Sequence, residues 1–97
     1  QSNQLTLWKC LMNTSIEITL MPLNDDYKSI IKKFIMSVRD SHFQILENPL
    51  STQIYGDFDS VMQGLVPLIK NTFKDEEAIM LHLKMVKGDR SQYEPDF

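Results

Sequence analysis

In "LSTQIYGDFDSVMQGL", residues 50–65, two hydroxyl side chains, Ser51 and Thr52, stand side by side at the head of a short run that leads through Tyr55 to Gly56 and Asp57. Paired hydroxyls have two uses there. They can offer donors and acceptors to the edge of a bound polar molecule. They can also serve the chain itself, since Thr is a good strand residue and Ser51 can hydrogen-bond the turn near Pro49. Neither use is catalysis. The sequence has no nucleophile elbow, phosphate loop, His-Glu zinc motif or Cys-His pairing in a recognisable context. His82 is remote from His42 and has no Cys or acid at metal-ligand spacing, so a metal site is not expected; a polar residue on a subunit face is the better reading. The six Met residues suit adaptable core and interface packing rather than copper.

The hydroxyls need a strand to carry them, and the periodicities supply one. In "SIEITLMP" Ile16, Ile18 and Leu20 alternate with Glu17, Thr19 and Met21, the two-residue period of a strand with one buried face, and Pro22 ends it. "NDDYKSIIKKFIMSVRD" changes to helical spacing. Tyr27, Ile30, Ile31, Phe34, Ile35 and Val38 form its stripe, with Asn24, Asp25 and Asp26 suited to the helix start. "FQILENPLSTQIYG" yields two strands broken at Asn48-Pro49, a hairpin. Asp57 then caps a second helix whose Phe58, Val61, Met62, Leu65, Ile69 and Phe73 share a face. Gly64 and Pro67 weaken that helix, and Pro67 predicts a kink near Gln63. "AIMLHLKMV" closes the pattern, with Ile79, Leu81, Leu83 and Met85 opposite Met80, His82, Lys84 and Val86.

Strand, helix, strand, strand, helix, strand with right-handed crossovers is the α+β, ferredoxin-like βαββαβ sandwich: a four-stranded antiparallel sheet with two helices on one face. The other face would carry Glu17, Thr19, Met21, Met80, His82 and Val86 with nothing above them. A mixed face of that kind marks a partner surface, and a second copy of the chain is the expected cover. By parity Thr52 belongs to the helix side, while Ser51 shares the free face with Gln53 and Tyr55.

Composition bounds the alternatives. A chain of 97 residues makes one domain, and 42% apolar with 24% charged residues is ordinary for a folded protein. The net charge of -3 argues against a nucleic-acid partner, because such affinity comes from Lys and Arg on phosphates. Cys10 is the only cysteine, which excludes an internal disulfide and fits a cytoplasmic location. No stretch approaches the roughly 18 apolar residues of a membrane span, so no membrane insertion is expected. "LTLWKCLM" is a poor signal peptide. The expected layout is an N-terminal extension at residues 1–14, with Gln1 to Asn3 as a candidate cloning remnant, a ligand-binding domain at 15–88 and a polar tail at 89–97.

The series "IEITLMPLNDDYKSIIKKFI", "LSTQIYGDFDSVMQGL" and "AIMLHLKM" resembles the YkoF-type family of thiamine and hydroxymethylpyrimidine binding proteins. The most telling parts are the strand ending in Met-Pro before an acidic helix start, and the Ser-Thr strand followed by Gly and an acid-led helix. The resemblance implies the same ferredoxin-like fold, a thiamine or aminopyrimidine ligand, no cofactor and no catalysis. Well-known members carry two such repeats in one chain. A single repeat here implies a homodimer, or a dimer of dimers.

An aminopyrimidine offers a flat apolar face, ring-nitrogen acceptors and an amino donor, so its pocket needs hydroxyl or amide groups at the edge and an apolar wall. The resemblance points to Ser51 first and Thr52 second as that edge. Glu17, or the turn at Asn24 and Asp25, would accept from the amino group. Tyr55 and Trp8 either stack on the ligand, where a thiazolium would gain about 0.5–2 kcal/mol from the ring face, or pack at a subunit contact. Glu17 has an equally simple reading as a solvated or interface charge. The competing function is a small dimeric α+β barrel enzyme of the oxygenase kind, with His82 or Tyr55 in an internal cavity.

Overall fold

The computed structural model describes residues 12–96. Six elements follow in chain order: β1 (Asn13–Pro22), α1 (Tyr27–Arg39), β2 (Gln44–Glu47), β3 (Thr52–Asp57), α2 (Phe58–Lys74) and β4 (Ile79–Lys87). The strands form one sheet in the order β2-β3-β1-β4, every neighbouring pair antiparallel. This is the expected ferredoxin-like arrangement. "LTLWKCL" and Trp8 lie outside the described residues.

The alternation in β1 decides which side is covered. Ile16, Ile18 and Leu20 bury one face together with Ile54 of β3, and Phe34 and Val38 of α1 meet Val61 and Leu65 of α2 on that same face. Both helices therefore lie on one side of the sheet. Their contacts are with β1 and β3. The edge strand β4 is left partly bare, and Leu83 and Met85 stay 38% and 39% exposed although they point to the helix side.

Local chemistry fixes each boundary. Before α1 the Asn24 Oδ1 accepts from the Asp26 N–H at 2.8 Å, an Asx turn that leads into the helix. At its end, Arg39 forms a two-pronged pair with Glu47 of β2, Nε–H to Oε2 at 2.6 Å and a guanidinium N–H to Oε1 at 2.8 Å. That pair holds the Glu47 carboxyl below its ordinary range. The β2–β3 hairpin turns on Asn48, whose Oδ1 accepts from the N–H groups of Leu50 and Ser51, both at 2.9 Å. The second helix is continuous through Pro67. The carbonyl that Pro67 leaves without its usual donor belongs to exposed Gln63, where water can satisfy it. Gly64 has a packing role: a Cβ there would stand 2.6 Å from Cζ of Phe43, so the missing side chain is the seat of that ring.

Asp57 caps α2 as the sequence suggests, accepting from the Ser60 N–H at 3.0 Å. This bond, then the Ser60 hydroxyl and the Met12 N–H, hold its carboxyl below the ordinary value. A depressed folded pKa means that the unfolded chain takes up the proton first. The stabilisation is therefore complete above about pH 4 and is lost as pH falls through the folded value. Asp57→Ala is expected to lower the melting temperature at neutral pH, and the gap to the wild type should narrow as pH falls below about 4. Thermal unfolding across that range checks it; a gap independent of pH contradicts the assignment.

Candidate functional site

On the side of the sheet away from the helices, the register sets side chains in rows. Ser15 stands between Tyr55 and Val86, Glu17 between Gln53 and Lys84, Thr19 beside His82, and Met21 beside Met80. Leu46 of β2 extends the Glu17 row through Gln53. Most of this face is uncovered, with Leu46, Met80 and Val86 exposed.

Glu17 is the hub. Its Oε2 accepts from the Ser51 hydroxyl at 3.0 Å, across from β1 to the hairpin loop. Its Oε1 lies 3.8 Å from Lys84 Nζ on the other side. Next along, the Tyr55 hydroxyl donates to Gln53 Oε1 at 2.6 Å, so an amide and a phenol are ordered together. Glu17, Gln53, Tyr55, Lys84 and Arg90 surround a shallow hollow of about 160 Å³.

The other end of the face is not bare. Ser15 is buried because the chain returns over it: its hydroxyl donates to the Gly88 carbonyl at 2.8 Å and accepts from the Arg90 N–H at 2.8 Å. Gly88 makes that return possible with a φ of 99°, a left-handed conformation that costs glycine little. What reads as a polar tail thus contributes Arg90 to the rim of the hollow.

Of the residues singled out from sequence, the fold gathers Ser51, Glu17 and Tyr55 around this face. Thr52 is buried on the helix side and lines a second hollow of about 180 Å³ with Ser51, Asn48, Ile31 and Phe34. Ser51 lines this second hollow and reaches the first only through its bond to Glu17. Asn24 and Asp25 are exposed in the turn before α1 and line neither hollow. The strand register accounts for this, because Pro22 lies three residues past Thr19, about 10 Å along β1. Parity alone puts Gln53 on the free side and Lys84 opposite the apolar row of β4, neither with a role; nothing in the sequence signals Ser15 or Arg90 beyond Ser15's odd-numbered place in β1.

His82 is exposed, with Nε2 3.2 Å from Met80 Sδ. Among the described residues no three His, Cys, Asp or Glu side chains form a group that could hold a metal ion. Among the same residues no helix is long and apolar enough to cross a membrane.

Solved structures share this architecture. A Streptococcus pneumoniae protein superposes with a TM-score of 0.74 at 21% identity, over 80% of this chain and 89% of its own. A Thermotoga maritima protein, assigned provisionally to thiamine biosynthesis or salvage, gives 0.68 at 17% identity, over 75% of this chain and 81% of its own. A Bacillus cereus domain of unknown function gives 0.66 at 16% identity, over 89% and 80%. At these identities the likeness is one of fold. No curated protein matches the chain in sequence. Residues 13–88, from the first strand to just past the last, match the YKOF-related Family. That span holds every strand and both helices of the sandwich, and by it the chain belongs to the YKOF-related family.

Proposed function

We propose that the chain is a non-catalytic binding protein for thiamine or its hydroxymethylpyrimidine moiety, acting in the cytoplasm in transport, salvage or sensing of the vitamin. Family membership and the Thermotoga maritima neighbour support a thiamine-related role. The observation that carries the choice of ligand is the Glu17 carboxylate held by Ser51 at the edge of the free-face hollow, beside the ordered Gln53–Tyr55 pair. A carboxylate accepts from the exocyclic amino group, and the Gln53 amide, whose oxygen already accepts from Tyr55, has N–H donors left for a ring nitrogen. The apolar part of the Tyr55 ring and Val86 provide wall.

A second copy of the chain covers the free face in this reading, closing a hollow that is too open in one protomer to desolvate a ligand. The oxygenase alternative puts His82 or Tyr55 in an internal cavity; in one protomer His82 stands exposed on an edge strand and the buried Tyr55 gives its hydroxyl to Gln53. Titration calorimetry with hydroxymethylpyrimidine and with thiamine tests the proposal. Glu17→Gln is expected to weaken binding about tenfold or more, the worth of one charge-assisted hydrogen bond. Absence of heat from both compounds at millimolar concentration overturns the reading.

A further inference from the structure

The charge around the hollow runs against the charge of the chain. The protein carries a net -3. The hollow nevertheless sets two cations, Lys84 and Arg90, against one carboxylate, Glu17. That carboxylate is already engaged by the Ser51 hydroxyl at 3.0 Å, and Lys84 reaches it only at 3.8 Å with most of its own side chain in solvent. Arg90 makes no ion pair among the described residues. The neighbouring acid, Asp89, is turned to its own local bond, accepting from the Ser91 N–H at 2.9 Å. Both cationic side chains are thus available to a ligand.

The position of Arg90 is built by the fold. Ser15, only 7% exposed, accepts from the Arg90 N–H and donates to the Gly88 carbonyl. A further bond from the Gly88 N–H to the Asn13 carbonyl, 2.7 Å, ties the same return to the start of β1. Three hydrogen bonds with the first strand therefore fix the backbone that leads into this arginine, which lowers the entropy lost when its guanidinium engages an anion.

Size points the same way. About 160 Å³ is well below the roughly 300–1,000 Å³ of sites that enclose drug-sized molecules, so the hollow has room for one ring and a small substituent. A two-ring ligand with a cationic thiazolium would place positive charge near Lys84 or Arg90. A phosphate on the hydroxymethyl arm would place two negative charges there, and a guanidinium fork is matched to phosphate oxygens.

Building on the aminopyrimidine reading above, we infer that this hollow prefers the phosphate ester of the hydroxymethylpyrimidine to the free alcohol and to the cationic vitamin. Calorimetry on the full chain with the three compounds, in wild type, Arg90→Gln and Lys84→Gln, decides it. The ester is expected to bind about tenfold tighter than the alcohol at low salt, with the gap shrinking as ionic strength rises. Each substitution should narrow that gap. Equal affinity for ester and alcohol in the wild type, or a gap untouched by both substitutions, overturns the preference and leaves the aminopyrimidine reading standing. No binding by any of the three removes both.

Discussion

Leu65→Ala is expected to lower the free energy of unfolding by about 4 kcal/mol, in the upper part of the ~2–5 kcal/mol range for emptied leucine sites. Leu65 is fully buried, at 0% exposure, in the cluster formed by Ile16, Ile18, Ile54, Phe34 and Val61. The cost at such a site depends on how far the surroundings can collapse into the void. Here they are stiff: Ile16 and Ile54 are β-branched and sit opposite each other in paired strands. On the helix itself the neighbouring residue is Gly64, and Phe43 is already seated against it, so that ring cannot swing over without leaving its own contact. Urea unfolding at fixed protein concentration should show a lower midpoint with an unchanged slope. Val66→Ala, on the exposed side of the same helix, should fall within about 0.5 kcal/mol of wild type. A loss below about 1 kcal/mol for Leu65→Ala would mean that the core repacks freely around α2.

That core is also where the sequence is most legible. The alternation of Ile16, Ile18 and Leu20 with Glu17, Thr19 and Met21 survives into the structure residue by residue, because a strand one of whose faces is buried cannot slip by one position without inverting every side chain. The same parity puts Thr52 under the helices and leaves Gln53 and Tyr55 on the free side with Glu17. Parity tells a face, however, and not how far the cover extends sideways. Leu83 and Met85 have the apolar alternation of a buried strand, yet only Ile79 and Leu81 at the start of β4 pack against the core, and Leu83 and Met85 remain exposed.

The candidate site is less legible for a related reason. Glu17 meets Ser51 because β1 and β3 pair in a given register, and register is a property of two segments together. Arg90 reaches the same hollow through bonds to Ser15, a residue 75 positions away, after a turn whose only local sign is Gly88. A polar tail with no periodicity gives no hint that one of its backbone N–H groups has such a partner. Gly64 is similar: in the sequence it is a weak point in a helix, and only the approach of Phe43 turns it into a packing site.

If two free faces pair as proposed, Val86→Glu is expected to weaken self-association at least about 100-fold and give monomers. Val86, Met80 and Leu46 are 37%, 45% and 55% exposed on the side that the helices do not cover. In the proposed dimer two such faces meet, and a two-fold interface takes every substitution twice. Two new carboxylates would then lose water together near the Glu17 of each copy, with Lys84 already drawn to Glu17 and only Arg90 left on the same rim. Desolvating a charge at an interface costs several kcal/mol even where a partner recovers part of it, enough for the stated change. Light scattering after size exclusion measures it on the full chain at micromolar concentration, with circular dichroism to show that the fold is kept. Val66→Glu, on the exposed side of α2, adds the same charge away from the sheet and should leave the dimer intact. Because Val86 also borders the hollow that holds Glu17, Tyr55 and Arg90, the monomeric variant should bind the aminopyrimidine more weakly as well. A wild type that stays monomeric at hundreds of micromolar would remove the second copy, and a Val86→Glu protein that still dimerises would place it elsewhere; either result leaves the ligand to be held by the face of one protomer alone.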